Sequence, residues 1–304
     1  KNVSVAGRVM SLRKMGKAAF ANIQDAHGRV QLYIARDDVG EDNYSLFKLI
    51  DIGDFIGIDG IVFITKTDAL TVKAEKVTVL SKNLRPIPDV KEKDGEKYNS
   101  VSDKELRYRK RYIDMIINPE TKDNYIKRFK IINSIREFLN KNGYIEVETP
   151  VLQPVYGGAN AKPFKTFHNA LDQEFFLRIA TELYLKQLIV GGFEKVYEMS
   201  KDFRNEGIDR SHNPEFTMLE FYQAYSDYNF MMDFVEEMLK KVAKDLGVKK
   251  VSWDGNDIDL SNKFARKTMD ELIKEHTGHS IDLTNSKAVF DVCKKLDLKV
   301  KKTD

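Results

Sequence analysis

Two short runs constrain this chain more than any other stretch. Phe203-Arg204-Asn205-Glu206 is followed, six residues later, by His212-Asn213-Pro214-Glu215-Phe216. Arg204 and Glu206 stand two apart, the spacing that puts side chains on one side of a strand. A short loop returns the chain, and the second run reads as another strand ending in Glu220, Phe221 and Tyr222. Such a hairpin presents a cation, a carboxylate, an imidazole and an aromatic ring to one concave surface. Those groups suit a triphosphate, a base and a charged small molecule held together.

The chain of 304 residues is long enough for two domains with real cores. Charged residues make up 32% and nearly balance, at net +3, so a nucleic-acid partner is permitted but not demanded. Cys293 is the only cysteine, which excludes a disulfide framework and fits a reducing, cytoplasmic setting. No run of 18 apolar residues appears, so no membrane span is expected. The opening KNVSVAGRV reads at once as a strand, without a signal-peptide core and without an initiator Met. The chain is therefore expected to begin inside a longer protein.

Residues 1–80 alternate apolar and polar in five short runs separated by Gly, Asp and Asn, with a helical interruption near 41–51. This pattern predicts a small closed barrel of OB type. Residues 81–103 read as a polar linker carrying Pro86 and Pro88. Asp103 is placed to cap a basic helix, ELRYRKRYIDMII. Helical spacing predicts a helix over 121–142 ending at Gly143. Mixed strands and helices follow to about 250, as in an α+β domain on an antiparallel sheet. Residues 251–304 read as a strand pair and two short amphipathic helices, and the Lys-rich end KKLDLKVKKTD as a solvated face. In the barrel, Arg13, Phe20 and Gln31 offer a cation, a stacking ring and an amide, the groups that hold a single-stranded base. Pattern alone leaves Phe20 equally open to a core role.

The string FRNEG…HNPEFT closely resembles motif 2 of the class II aminoacyl-tRNA synthetases. GYIEVETPVL (143–152), YGGANAKPF (156–164) and NALDQEFFLRIATELYLKQL (169–188) resemble the bacterial-type lysine enzymes in particular. The resemblance runs from about residue 3 to about residue 280. It implies an OB-type anticodon-binding barrel over 1–80, a linker and basic helix over 81–120, and an incomplete class II catalytic domain over 121–304. It also implies ATP-dependent activation of L-lysine to lysyl-adenylate, followed by transfer to the 3′ end of tRNA(Lys).

The same resemblance implies residue roles. Arg204 would hold the α-phosphate and the amino-acid carboxylate, a double task suited to a planar guanidinium. Glu206 would accept from the adenine amino group, His212 would lie near the γ-phosphate, Phe216 would stack on adenine, and Asn213 would neighbour ATP. Lysine would meet Gly158 and Glu182 at its α-amino group and Glu220 and Tyr222 at its ε-ammonium. A buried ammonium needs such carboxylates. Read alone, Glu182 is an acidic residue at a helix N-terminus. Arg13, Phe20 and Gln31 would read the middle anticodon base, whereas Lys14 and Lys17 are phosphate contacts or plain surface. His168 has no assigned role. Helix 121–142 with GYIEVETPVL and Pro150 resembles motif 1, which implies a homodimer.

One departure stands out. Motif 3, of the form GxGxGxxR, is absent. The magnesium ligands and the rest of the lysine pocket are expected beyond this chain, which holds no metal site of its own. The sequence is thus expected to be an internal fragment that forms lysyl-adenylate poorly. Alternatives are an RNA-binding, dimerising module, a synthetase paralogue, or an aspartate- or asparagine-type ligase. The carboxylates Glu182 and Glu220 with Tyr222 disfavour the last.

Overall fold

The computed structural model describes all residues except 89, 94–95, 100–103, 210, 283, 299 and 301–304. The chain divides into two compact units, Lys1–Asn124 and Tyr125–Asp304.

The first unit begins with β1 (Asn2–Met15), β2 (Ala18–Gln24), β3 (Arg29–Ala35), α1 (Arg36–Val39), α2 (Glu41–Lys48), β4 (Phe55–Ile64) and β5 (Leu70–Ser81). The five strands close into a barrel in the order β1-β2-β3-β5-β4. Period-two alternation explains the closure. In β2, Ala19, Ala21 and Ile23 are buried while Phe20 and Asn22 face outward. Ile34, Ile56, Ile58 and Val72 join them in the core, and Tyr44 and Phe47 of α2 complete it. At Gly60, a β-carbon would fall 2.0 Å from the Lys73 carbonyl oxygen, so the β4–β5 bulge there requires glycine. Buried Asp54 accepts from the Asn83 and Asp51 backbone N–H groups and pairs with Lys82, which ties the segment after β5 to the barrel.

Two short strands follow inside the span read as linker, β6 (Val90–Lys93) and β7 (Glu96–Asn99), paired antiparallel. Asp103, expected as a helix cap, lies outside the described residues. The basic stretch expected as one helix is two, α3 (Lys104–Arg109) and α4 (Arg111–Ile117), broken at Lys110. Buried Asp114 explains the break. It accepts from Arg107, Arg111, Asn118 and Thr121. On one continuous helix Arg107 and Asp114 would stand about 10 Å apart along the axis, too far for the observed 2.8 Å bond.

Helix α5 (Pro119–Lys141) carries proline at its first position, where no N–H is needed. It ends before Gly143, whose φ is +81°. Next come β8 (Ile145–Glu146), β9 (Leu152–Gln153), β10 (Lys165–His168), β11 (Gln173–Leu177), α6 (Glu182–Val190), β12 (Lys195–Phe203), β13 (Glu215–Gln223) and α7 (Tyr228–Asp245). Strands β12 and β13 form a nine-pair antiparallel ladder, with β8 added parallel at the edge. One face of this sheet, with Tyr197, Leu219 and Phe221, packs on Phe138 and Leu139 of α5 and on Phe234 and Met238 of α7. The other face carries Glu198, Ser200 and Asp202 of β12 and Phe216, Glu220 and Tyr222 of β13. The chain continues through β14 (Lys250–Trp253), β15 (Asn256–Asp259), α8 (Met269–Thr277) and α9 (Ser286–Lys295). No helix among the described residues is long and apolar enough to cross a membrane.

Candidate active site

The β12–β13 ladder fixes the site. Directly opposed residues project to the same face, so Glu198 lies across from Glu220 and Asp202 across from Phe216. Arg204 and Glu206 do not sit on the strand, contrary to the spacing argument: β12 ends at Phe203. The ladder runs one step further through the Arg204 N–H to the Pro214 carbonyl, 2.9 Å. The chain then peels away, and Asn205 donates to the Lys162 carbonyl. Glu206 accepts in return from the Lys162 N–H at 3.3 Å. The Asn205 backbone and the Glu206 side chain are thereby held by a neighbouring loop rather than by the pleat.

Arg204 is half-buried. Its Nε donates to the Ile179 carbonyl at 3.4 Å, and its guanidinium carbon lies 5.1 Å from the Phe216 ring centroid. His212 is exposed in the returning loop and pairs through Nδ1 with Asp209 at 2.8 Å. Asp209 also accepts the Ser211 and His212 backbone N–H groups, which with the imidazole hold its carboxyl below the usual range. Asn213 is exposed beside it.

On β13 the Tyr222 hydroxyl donates to Glu220 Oε2 at 3.0 Å, and the Thr181 N–H reaches Glu220 Oε1 at 3.3 Å. Burial first, then the nearby Glu220 charge, pushes the Tyr222 phenol up. Glu182 opens α6, one residue from Thr181, and pairs with Lys186 at 2.7 Å. The Lys186 ammonium lies 5.9 Å from the Tyr222 ring centroid. Gly158 has φ +86°, and a β-carbon there would come within 2.8 Å of Glu182 Cβ. Gly158, Glu182, Glu220 and Tyr222 are therefore linked through one chain of contacts. His168 is exposed on β10, beside Phe175.

Sequence reasoning passed over Arg178, Glu198 and Asp202. All three are buried. Arg178 Nη1 meets Glu198 at 2.7 Å, and Thr149 donates to the other Glu198 oxygen through its hydroxyl and its backbone N–H. The available signal was the alternation Glu198-x-Ser200-x-Asp202, polar residues at period two within an apolar strand. Among the described residues, no cluster of three or more His, Cys, Asp or Glu could hold a metal ion.

In the barrel, Arg13, Phe20 and Gln31 line one cleft of about 380 Å³ with Ser11, Asn22, Thr65 and Thr67. Arg13 and Phe20 face each other across the β1–β2 ladder. Phe20 is half-buried on the outer face, 5.1 Å from the Tyr33 ring, so it is not core. Gln31 accepts from the Thr71 hydroxyl at 2.8 Å, which fixes its carbonyl end. Lys14 donates to the Lys48 and Ile50 carbonyls, closing the end of α2.

A family model of class II tRNA synthetases (D, K and N) matches residues 103–301. The chain belongs to the class II tRNA synthetases. A second model, the OB-fold nucleic acid binding domain, matches residues 3–80 of this synthetase chain. It is 52% identical over 310 residues to a lysine–tRNA ligase of Porphyromonas gingivalis W83, covering 100% of the chain and 54% of that protein. It is 52% identical over 308 residues to a lysine–tRNA ligase of Azobacteroides pseudotrichonymphae, covering 99% of the chain and 62% of that protein. The chain thus spans little more than half the length of these curated relatives.

Proposed function

We propose that the protein is a lysine–tRNA ligase acting in the cytoplasm. It activates L-lysine with ATP and transfers it to the 3′ end of tRNA(Lys). The observation that carries this reading is the acidic pocket wall: Glu220 bonded to Tyr222 on β13, with Glu182 one residue from the Thr181 that bonds Glu220. Two carboxylates separated in this way complement a substrate with two ammonium groups, and they oppose an acidic one.

In the proposed reaction a lysine carboxylate oxygen attacks the α-phosphorus of ATP, and the bond to the bridging oxygen breaks to release pyrophosphate. Arg204 stands between two anions and offsets their repulsion, with most effect where charge grows in the transition state. Phe216 offers a ring face to adenine, and Glu206 a carboxylate to its amino group. His212 and Asn213 would lie along the polyphosphate. Magnesium carried by ATP would add charge stabilisation to that of Arg204. In the second step the tRNA hydroxyl attacks the lysyl carbonyl carbon and AMP leaves.

Arg13, Phe20 and Gln31 would receive an anticodon base. A homodimer would form through α5 and the 146–151 segment, where Ile126, Phe129 and Val151 are exposed together with a cleft of about 850 Å³.

The test is amino-acid-dependent ATP–pyrophosphate exchange by the full-length gene product, with lysine, aspartate and asparagine in parallel. Exchange with lysine alone is expected. Exchange with another amino acid overturns the pocket assignment, and no exchange at all moves the weight to an RNA-binding role.

A further inference from the structure

The polar face of β12 holds one group that the proposed chemistry leaves unused. Asp202 is 0% exposed, and neither carboxyl oxygen accepts a hydrogen bond among the described residues. Arg178 Nε lies 3.2 Å from Oδ1, but its proton points to the Lys201 carbonyl. Its neighbour Glu198 is the opposite case, with Arg178 and Thr149 serving both oxygens. Such a buried, unserved carboxyl is costly as an anion.

Four charged groups act on Asp202. Arg178 follows β11, Glu198 shares β12, Glu220 stands on β13, and Arg204 follows β12. That is two carboxyls and two guanidiniums acting on the Asp202 carboxyl. Burial first, with Glu220 and Glu198 adding to it against the two arginines, pushes the Asp202 carboxyl up to about 6.

We propose that Asp202 is a positioning residue of the lysine pocket, a buried carboxyl whose charge is set by whether an ammonium sits at Glu220. The inference rests on the lysine reading above. With the pocket empty, burial, helped by the fields of Glu220 and Glu198, favours the neutral acid. An ammonium at Glu220 cancels part of that field, and Asp202 then loses its proton to solvent. The new anion in turn strengthens the hold on the ammonium and on Arg204. Lysine binding is thereby coupled to release of a proton.

The sign and size follow from linkage. An opposite charge within about 6 Å lowers a carboxyl by about one unit or more. Lysine binding at about pH 6 then releases about 0.4 proton from this group, and affinity rises about fivefold between about pH 5 and pH 8.

Two measurements test this on the full-length protein. The first follows the Asp202 carboxyl carbon by NMR in the free protein. A midpoint near 6 is expected, and an ordinary carboxylate midpoint overturns the inference whatever the ligand. The second is calorimetry with L-lysine at that pH in buffers of differing ionisation heat, on the wild type and Asp202→Asn. Proton release that disappears in the variant, with a flattened pH profile, supports the inference. Equal release in both proteins overturns it while keeping the lysine site. Absence of lysine binding by the wild type overturns the lysine reading itself, and this inference with it. The wild-type titration decides the matter even where Asp202→Asn does not fold.

Discussion

The Tyr222 hydroxyl donates to Glu220 Oε2 at 3.0 Å, and Glu220 Oε1 accepts the Thr181 N–H at 3.3 Å. One carboxyl is thus held from both sides by its own strand and by the turn into α6. Its position is set before any ligand arrives, which limits the ordering cost of binding.

Glu220→Gln keeps the shape and removes the charge. Loss of one partner of a buried ion pair costs about 2 to 5 kcal/mol, so the apparent lysine affinity should fall at least about thirtyfold. ATP affinity should stay within about threefold on the same scale. Separate titrations of lysine and ATP check this, and equal losses would make Glu220 a structural residue. Tyr222→Phe removes only one hydrogen bond to the carboxylate and should cost about 1.5 to 3 kcal/mol of lysine binding.

Gly158→Ala should harm the same pocket by a different route. Its φ of +86° disfavours a side chain, and the new methyl would meet Glu182 Cβ at 2.8 Å and Ala180 Cβ at 3.1 Å. The expected destabilisation is about 1 to 3 kcal/mol. Thermal unfolding measures the strain, and lysine titration measures the displaced Glu182.

Phe20→Ala should weaken tRNA binding by about 1 to 3 kcal/mol, the usual value of one base stacked on a ring. Phe20 is half-buried and lies outside the barrel core, so the barrel should stay folded. Filter binding of tRNA against circular dichroism separates the two effects. Pyrophosphate exchange should be unchanged.

Asp114 ties α3, α4 and the start of α5 together. Burial alone would raise its carboxyl, but hydrogen bonds from Asn118, Arg107, Thr121 and Arg111 outweigh that and hold it at about 2. A lowered carboxyl contributes stability above its unfolded value and loses it as pH falls. The loss should therefore fall between about pH 4 and pH 2, and amount to about 1 to 2 kcal/mol after allowing for solvent screening of Arg107. Asp114→Asn should lose it at all higher pH values. Urea unfolding across that window checks both statements.

Much of this architecture was legible because it rests on period. The alternation in residues 1–80 prescribes a barrel, and Gly143 marks the end of α5. What was not legible depends on contacts distant in sequence. The break at Lys110 follows from Asp114 gathering Arg107 and Thr121, and helical pattern carries no trace of it. The β6–β7 pairing lies inside a polar stretch whose composition reads as linker. Arg204 and Glu206 were placed on a strand from spacing alone, yet Lys162 draws the chain off the sheet. Of the site, family words marked Arg204, Phe216, Glu220 and Tyr222. The buried trio of Arg178, Glu198 and Asp202 needed the ladder register to emerge.

Strand β2 carries two messages on alternate residues. Ala19, Ala21 and Ile23 face the interior, and Phe20 and Asn22 face the cleft. The letters that specify folding and those that meet an outside molecule are interleaved without overlap. A protein engineer could therefore rewrite the outward letters of β2 to recognise a different base, and leave every interior letter, and with it the scaffold, as it stands.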